Sequence, residues 1–220
     1  MRVTGPLAPN AVVFVNGGSG RDVPGTWSAS VEYLVRRLGR RFSDLGLAEV
    51  KYRIKSWNRL EMCTEDALDA IEHAVAHGAE RILLVGYSMG GLVAIRAAGH
   101  SAVERVLGLA PWIPDRLPLR TLRGKRLDVL HGELDRYLPG IPGVSPTGSR
   151  RGFDRAQREG IDGTYRLIRG AIHPIALRAP WGGVVAAPRA RAWIRLVAVE
   201  LERFEMATAS TAEHLSRPSS

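Results

Sequence analysis

Apolar runs of strand length alternate along this chain with segments in which apolar residues recur at the spacing of a helix. In the run around Leu83, residues 82–85 are apolar at every position, which is typical of a strand covered on both faces. Alternation of strands and helices indicates parallel pairing with right-handed crossovers. The predicted strands span residues 11–15, 48–54, 81–86, 105–110, 127–131 and 163–168.

Five segments are predicted to be helices, and four of them lie between these strands. We expect Thr26 to cap the first helix and Thr64 to begin the second, because threonine hydroxyls accept hydrogen bonds from free N–H groups at helix starts. The order of elements predicts an α/β fold: a three-layer sandwich with a mostly parallel six-stranded sheet and helices on both faces. The predicted helices span residues 27–41, 65–77, 89–99, about 150–159 and about 188–205.

The length of 220 residues favours one domain. We expect residues 1–206 to form it without a cap domain. Residues 207–220 are predicted to be a disordered tail, because they are mostly Ser, Thr, Ala and Pro without periodicity. The single cysteine, Cys63, excludes an internal disulfide, so nothing requires an oxidising compartment.

The formal net charge is +9, which raises the question of a nucleic-acid or lipid partner. The excess consists of scattered arginines without a run of five or six basic residues, and no nucleic-acid-binding motif accompanies them. No run approaches the roughly 20 apolar residues that span a bilayer, and no secretory signal is visible. We therefore expect a cytoplasmic protein without a nucleic-acid or membrane partner; nothing predicts its oligomeric state.

The strongest chemical signal is the motif G-x-S-x-G, formed by Gly86, Ser88 and Gly90 between an apolar strand and an alanine-rich helix. In this context the serine occupies a sharp, strained turn at the carboxyl end of the sheet, and small residues on either side let strand and helix pack closely. The free amides of the helix start would stabilise developing negative charge there. The alternative is a glycine-rich turn without chemistry.

In this motif the sequence resembles the α/β-hydrolase superfamily, particularly small esterases without a cap and dienelactone-hydrolase-like serine hydrolases, over about residues 11–204. The resemblance implies that Ser88 is a nucleophile, followed along the chain by an acid and then a histidine, each in a loop after a strand. Residues 131–139 look like the family's H-G-x-x-D-x-x-x-P segment, which makes Asp135 the acid. His173, after the sixth predicted strand, takes the place of the base.

Other acids and histidines compete for these two roles. The rival acids lie one step too early in the loop, within a strand or on a helix; they are Glu133, Asp128 and Asp154. The remaining histidines fall on or after helices, in the tail, or ahead of the acid loop, where the family often has a structural histidine. They are His73, His77, His100, His214 and His131.

The resemblance also implies an oxyanion hole of two backbone N–H groups. One belongs to Met89, directly after the serine, and the other to Gly18 in the loop after the first strand. That loop looks like the family's H-G-x-x-G segment, with Asn16 where histidine is usual; an asparagine can hold a loop by side-chain hydrogen bonds. Ser19 is the alternative donor, and a plain glycine turn is the alternative interpretation.

Aromatic residues near strand ends are candidates for the substrate pocket, although each fits a packing role as well. Trp112 lies just beyond the fourth predicted strand and Tyr87 lies beside Ser88. Three further candidates follow the second predicted strand: Trp57, Asn58 and Met62.

Together these patterns predict a serine hydrolase that cleaves carboxylic esters through an acyl-enzyme, with no metal or organic cofactor and a small ester-type molecule as its partner. Thioester or amide cleavage, acyl transfer and perhydrolysis on the same residues stay open, as does a catalytically silent binding protein. Residues 111–126 are too few for a helical lid, which favours short-chain esters. Their basic side chains favour acidic substrates; these are Arg116, Arg120, Arg123, Lys125 and Arg126.

Overall fold

The computed structural model describes residues 1–135 and 143–215, with side chains described as far as Ala207. Two one-turn 3-10 helices, Trp57–Arg59 and Arg120–Leu122, accompany the regular elements. Those elements are, in chain order, β1 (Arg2–Thr4), β2 (Asn10–Val15), β3 (Val23–Pro24), α1 (Ala29–Leu38), β4 (Gly46–Glu49), β5 (Ile54–Lys55), α2 (Leu60–Ala76), β6 (Arg81–Tyr87), α3 (Met89–Ala97), β7 (Val103–Leu109), β8 (Arg126–Gly132), α4 (Pro146–Arg158), β9 (Tyr165–Ile168), β10 (Ala176–Arg178), β11 (Val184–Ala186) and α5 (Ala190–Leu215).

The main sheet has seven strands in the order β1-β4-β2-β6-β7-β8-β9. Six of these strands pair in parallel, namely β4, β2, β6, β7, β8 and β9. They correspond to the six strands predicted from the sequence. β1 adds an antiparallel strand beside β4, which the prediction missed because its three residues contain only one apolar side chain, Val3. Two small ladders, β3–β5 and β10–β11, lie outside the sheet.

Helices cover both faces of the sheet, as predicted, and divide the core into two halves. In β6, Ile82 and Leu84 pack in the half that α2, α3 and α4 cover. Leu83 and Val85, which alternate with them, pack in the half that α1 and α5 cover. A strand buried on both faces needs apolar residues at every position, which explains the continuous run in the sequence.

Several element ends differ from the prediction. The second predicted strand is shorter and shifted: β4 ends at Glu49, and the chain then turns before the separate β5. Ser28, not Thr26, caps α1, because its hydroxyl accepts from the N–H of Val31. Thr64 does not begin α2, since the helix already starts at Leu60 and the Thr64 hydroxyl donates to the Leu60 carbonyl over 2.7 Å.

The last helix, α5, is longer than predicted. It continues to Leu215, so the backbone of residues 207–215 is helical where the sequence analysis expected a disordered tail. Alanine favours helix and this stretch contains no proline or glycine, so nothing stops the helix that Ala190 begins. Residues 216–220 of the expected tail lie outside the described residues.

Two features of the fold bear on the surroundings of the site. Between β7 and β8 the chain forms only the 3-10 turn Arg120–Leu122, and Leu117, Leu119 and Leu122 of this crossover are buried in the core. Within the described part of the chain, no helix has both the length and the apolar character that crossing a bilayer would need.

Candidate active site

Ser88 lies in a strained turn between β6 and α3. Its φ of 56° and ψ of −121° are outside the regions that a residue with a side chain normally adopts. Gly86 and Gly90 make the turn possible: a Cβ on Gly86 would collide with the Gly90 carbonyl, and a Cβ on Gly90 would collide with the carbonyl of Val15. The two glycines therefore serve the close packing of strand and helix that the motif predicts.

Main-chain hydrogen bonds hold this turn against the neighbouring strand. The Ser88 N–H donates to the Leu109 carbonyl over 2.9 Å. The Ser88 carbonyl accepts from the N–H groups of Gly91 (2.9 Å) and Trp112 (3.0 Å). The Ser88 side chain makes no cap hydrogen bond to α3, so its hydroxyl can point elsewhere.

The structure brings Ser88, His173 and Asp135 into one hydrogen-bonded chain. The Ser88 hydroxyl donates to Nε2 of His173 over 3.0 Å, and the Nδ1–H of His173 donates to Oδ2 of Asp135 over 2.6 Å. These bonds join the ends of β6, β8 and β9, which meet at the carboxyl edge of the sheet. Ser88 and His173 are 6% and 7% exposed, whereas Asp135 is 1% exposed, so a small molecule can reach only the first two.

Asp135 has two further partners that hold its carboxylate in place. Its Oδ1 accepts from the N–H of Val144 over 3.1 Å, and its Oδ2 lies 3.1 Å from Nε2 of His131. Burial raises the pKa of Asp135, but hydrogen bonds from His131 and His173 outweigh it and lower the pKa below its ordinary value. The carboxyl group is therefore ionised near neutral pH, and it can stabilise a positive charge on His173.

Two elements hold the loop that carries His173. The Tyr87 hydroxyl donates to the His173 carbonyl over 3.1 Å. The Ser30 hydroxyl, near the start of α1, donates to the Ala176 carbonyl (3.2 Å) and accepts from the N–H of Ile175 (3.1 Å). The imidazole is thus positioned by the residue that precedes Ser88 and by a helix on the other side of the loop.

The rival residues lie in other environments. Asp128 pairs with Arg105 and Arg126, and Glu133 accepts from the N–H of Gly170. The third rival acid, Asp154, pairs with Arg150 within α4. His131 touches Asp135, but its Nε2 also lies 3.0 Å from the Val144 carbonyl, so the ring bridges the two sides of the acid loop. Among the remaining histidines, His73 stacks on His77 and His100 lies 3.1 Å from Glu72; the side chain of His214 is outside the described residues.

The loop after β2 passes beside Ser88. The side-chain amide of Asn16 donates to the Val50 carbonyl over 2.6 Å, which is the support expected of an asparagine there. A Cβ on Gly18 would collide with the side chain of Met89, so these two predicted oxyanion donors are neighbours. The carbonyl of Ser19, the alternative donor, accepts from the main-chain N–H of Trp57 over 3.0 Å, a bond that does not involve the Ser19 N–H. Gly17, which the prediction did not include, also lies beside Ser88.

Two cavities are lined by residues that bond to Ser88: Trp112 lines one and His173 lines the other. One, of about 470 Å³, contains Trp57 and Trp112, whose rings meet edge to face at 4.6 Å. The other, of about 480 Å³, is called the His173 groove here. Its lining residues are Thr26, Trp27, Ser28, Ala29, Ser30, Lys55, Tyr87, His173, Pro174, Ala176, Leu177 and Arg178.

The predicted pocket residues are therefore distributed between the two cavities. Trp112 and Trp57 line the first, and Tyr87, though 8% exposed, lines the second. Asn58 and Met62 line neither. A third cavity of about 650 Å³, between α1 and the start of α5, contains none of the predicted site residues.

Sequence reasoning missed the contributors to the His173 groove that are distant in the chain from every motif. Trp27 and Ser30 come from the start of α1, and Lys55 comes from β5. None belongs to a recognisable spacing, so no signal in the sequence singles them out. Val144, which supports Asp135, was missed for the same reason.

Chemically, the arrangement joins a hydroxyl, an imidazole and an ionised carboxylate in the order that activates an alcohol as a nucleophile. The N–H of Met89 is the first amide of α3 and has no partner within its helix, so it can donate to an oxyanion. No group of three His, Cys, Asp or Glu side chains among the described residues is placed to hold a metal ion.

Comparison with known proteins identifies the family of this fold. The model of the Alpha/beta hydrolase family matches residues 12–218. No curated protein matches the chain in sequence.

Solved structures share the fold at low sequence identity. An alpha-beta serine hydrolase homologue from Coxiella burnetii has a TM-score of 0.63 and 15% identity, with 90% of this chain and 89% of that chain covered. A monoacylglycerol lipase from Paleococcus ferrophilus has a TM-score of 0.59 and 16% identity, with coverages of 91% and 96%. A serine hydrolase without lid from Xanthomonas campestris has a TM-score of 0.55 and 16% identity, with 78% of each chain covered.

Proposed function

Because this chain belongs to the alpha/beta hydrolase family, we propose that it is a serine hydrolase that cleaves carboxylic esters through an acyl-enzyme intermediate. One observation carries the proposal: the strained Ser88 donates to His173 over 3.0 Å, and His173 donates to Asp135 over 2.6 Å. The fold alone admits many reactions, so the activity is argued from this site. Solved structures with this fold include a monoacylglycerol lipase and an esterase, which supports ester cleavage as the proposed reaction.

In the first half of the proposed reaction, Oγ of Ser88 attacks the ester carbonyl carbon while Nε2 of His173 takes the hydroxyl proton. The carbonyl π electrons move onto oxygen and a tetrahedral intermediate forms. When the carbon–oxygen double bond returns, the bond to the alkoxy group breaks, and that group leaves as an alcohol with the proton from His173. The acyl group is then held on Ser88 as an ester.

In the second half, a water molecule takes the place of the departed alcohol. His173 removes one proton from it, and the resulting oxygen attacks the acyl carbon. Collapse of the second tetrahedral intermediate returns the proton to Oγ of Ser88 and releases a carboxylic acid. Asp135 keeps its negative charge throughout, fixes the Nδ1–H tautomer and stabilises the imidazolium that forms twice in each cycle.

The negative charge on each tetrahedral intermediate needs hydrogen-bond donors that are already in position. We assign this role to the N–H groups of Met89 and Gly18, because the Met89 side chain packs against Gly18 and Met89 directly follows Ser88. Since Gly18 has no side chain, its backbone can approach Met89 closely, and the neighbouring Gly17 keeps the loop near Ser88. Losing one such donor typically costs about 10²–10³ in kcat.

We propose that the preferred substrates are small, short-chain esters. The described crossover between β7 and β8 is a single 3-10 turn, which leaves no helix there to enclose a long acyl chain. The cavity with Trp57 and Trp112, whose N–H donates to the Ser88 carbonyl, offers about 470 Å³, enough for a short apolar group. The similarity to a serine hydrolase without lid supports the same proposal.

A fluorophosphonate probe tests the assignment of the nucleophile, because it reacts with an activated serine hydroxyl. We expect one label on the intact protein, mapped to Ser88 by mass spectrometry. Ser88→Ala should abolish labelling, whereas Ser101→Ala, at an exposed serine far from the site, should leave it intact. A label on another serine, or an unlabelled wild-type protein, would refute the proposal.

Turnover of matched substrates tests the reaction class. A butyryl ester, a butyryl thioester and a butyryl amide with the same chromogenic group differ only in the bond that breaks. We expect the ester to have the highest kcat/KM. A higher kcat/KM for the thioester or the amide would mean that the protein acts on that type of bond and not on esters. The same residues would keep their roles in that reaction.

A further inference from the structure

The His173 groove contains a lysine that the proposed reaction does not use. Lys55 lies at the end of β5, two residues before Trp57, and is half-buried. It shares the groove with His173, whose imidazole is bonded to Ser88. No aspartate or glutamate is among the described residues that line this groove.

The ammonium group of Lys55 has no counter-ion among the described residues. Burial alone lowers its pKa, with no contribution from a charged neighbour. A half-buried ammonium has lost part of its hydration without gaining a compensating charge, which is unfavourable for the charged form. An anion in the groove would restore that balance.

Two carboxylates near β5, those of Asp22 and Asp66, are already bonded to other residues. Asp22, which precedes the strand paired with β5, accepts from Arg59 over 2.8 Å and from the Ser56 hydroxyl over 2.5 Å. Asp66 accepts from the main-chain N–H of Arg53 over 2.8 Å and from its guanidinium. Both carboxylates are thus satisfied by groups other than Lys55.

The second cationic side chain of the groove is also satisfied within the protein. Arg178 pairs with Glu32 over 2.8 Å and donates to the carbonyls of Trp27 and Gly182. Of these two lining cations, only Lys55 therefore offers its charge to a ligand. The other residues that line the groove are largely apolar, such as Trp27 and Leu177, or carry hydroxyl groups.

We propose that Lys55 binds a carboxylate of the substrate, so that esters carrying a carboxylate away from the scissile bond are preferred over matched neutral esters. This inference rests on the proposed function, because it assumes that the scissile ester is held at Ser88 while the carboxylate of the same substrate lies in the groove beside His173. Two of the basic residues of the β7–β8 crossover, Lys125 and Arg126, are placed away from Ser88. Arg126 begins β8, at the opposite end of the sheet from Ser88, and Lys125 donates to the His100 and Val103 carbonyls.

A carboxylate fits this position better than a phosphate. A single ammonium neutralises one unit of negative charge, whereas a phosphate monoester carries about 1.5 to 2 units near neutral pH. The remaining negative charge of the phosphate would face apolar walls and the ionised Asp135 behind His173. A carboxylate also accepts charge-assisted hydrogen bonds from an ammonium, which are stronger than those between neutral groups.

Two pairs of esters test the proposal, since each pair differs by one charge. On the acyl side, 4-nitrophenyl hydrogen glutarate is compared with its methyl ester. On the alcohol side, 4-carboxyphenyl butyrate is compared with its methyl ester. We expect the acid to have a kcat/KM about tenfold to a hundredfold higher in one of the two pairs, at low salt, and a smaller advantage as salt increases.

Substitution of the lysine should remove that advantage. In Lys55→Met, the ratio of kcat/KM between acid and methyl ester should fall about tenfold or more, while Lys55→Arg should keep most of it. Lys51→Met is the matched control: Lys51 is exposed, lies 5.8 Å from the Trp27 ring and does not line the groove. An unchanged ratio in Lys55→Met, or an equal loss in Lys51→Met, would overturn the inference.

A binding measurement separates this inference from the proposed reaction. Calorimetry with Ser88→Ala compares the affinity of each uncleaved acid with that of its methyl ester, independently of turnover. Tighter binding of an acid that disappears in Ser88→Ala combined with Lys55→Met supports the carboxylate site, even if the wild-type protein cleaves neither ester. Equal affinity of acid and methyl ester in both pairs overturns it, even if the protein proves to be an active esterase.

Discussion

The phenol hydroxyl of Tyr87 donates a hydrogen bond to the main-chain carbonyl of His173 over 3.1 Å, and the two rings lie 5.2 Å apart. Tyr87 directly precedes Ser88, so one strand end carries the proposed nucleophile and also holds the loop of the proposed base. The tyrosine was a candidate for the substrate pocket. Its hydroxyl instead has a positioning role, while its ring contributes to the groove wall.

Removing only this hydroxyl should loosen the histidine loop. In Tyr87→Phe we expect a lower kcat with little change in KM, because the imidazole spends less time within reach of Ser88. Leaving the His173 carbonyl without its partner should also lower the free energy of unfolding by about 1–3 kcal/mol. Ester kinetics and urea unfolding measure the two effects.

Tyr165→Phe is the control for this variant. The Tyr165 hydroxyl donates over 2.9 Å to the carbonyl of Pro146, the first residue of α4, and not to the His173 loop. It should lose stability to a similar extent and keep its kcat. If both variants lose kcat equally, the contribution of Tyr87 is general stability and not positioning.

The three linked side chains should behave as one unit in kinetics. Ser88→Ala and His173→Ala should each lower kcat by several orders of magnitude, and the double variant should be hardly worse, because neither group acts without the other. Asp135→Asn should cost about 10⁴ where the wrong imidazole tautomer results. Glu133→Gln, two residues away, should retain most of the activity; near-normal turnover of Asp135→Asn together with loss in Glu133→Gln would reassign the acid.

Asp128 should make stability depend on acid pH. Burial raises its pKa, but hydrogen bonds from Arg105, Arg126 and Thr164 outweigh it and lower the pKa. A carboxyl whose pKa is lower in the folded state than in the unfolded state, about 3.9, stabilises the fold above that value. The stabilisation is lost as the pH falls through the folded pKa.

Urea unfolding at about pH 7, 5 and 3 measures this effect. Asp128→Asn should be less stable than the wild type by about 1–3 kcal/mol at pH 7, because the charge-assisted hydrogen bonds to Arg105 and Arg126 are weakened while Arg105 keeps its pair with Glu200. The difference should narrow towards pH 3, where the wild-type carboxyl begins to protonate. Asp162→Asn removes an exposed partner of Arg126 at 3.8 Å and should change stability by less than about 1 kcal/mol. A difference for Asp128→Asn that stays constant with pH would contradict the linkage.

Acyl-chain length should distinguish an open site from a hydrophobic channel. With 4-nitrophenyl esters from acetyl to palmitoyl, we expect kcat/KM to be highest from acetyl to butyryl and to fall beyond about eight carbons. Each additional CH₂ stabilises binding by about 0.8 kcal/mol only where a wall buries it. A monotonic rise to palmitoyl, or a jump in rate above the micelle threshold, would reveal a channel that the short β7–β8 crossover does not suggest.

The order of the elements and the central part of the site could be read from the sequence. The central strands β2 and β6 carry continuous apolar runs because both of their faces are buried, and that requirement acts residue by residue. Gly86, Ser88 and Gly90 are equally local, since a strained turn and a close strand–helix approach demand glycines at fixed spacing. The loops with Asp135 and His173 could be predicted because the family resemblance implies an acid and then a histidine after successive strands, and those strands are recognisable.

Only the tertiary structure decided which distant groups meet at those strand ends. β1 is too short to show a pattern and is defined by pairing with β4. The Tyr87 hydroxyl finds the His173 carbonyl 86 positions along the chain, and no local spacing records that contact. Lys55 is one of many basic residues in the sequence, and its lack of a counter-ion follows from where Arg59 and Arg53 direct the nearby carboxylates. Sequence patterns report requirements that act on neighbouring residues, whereas the partners of a polar side chain depend on how the whole chain packs.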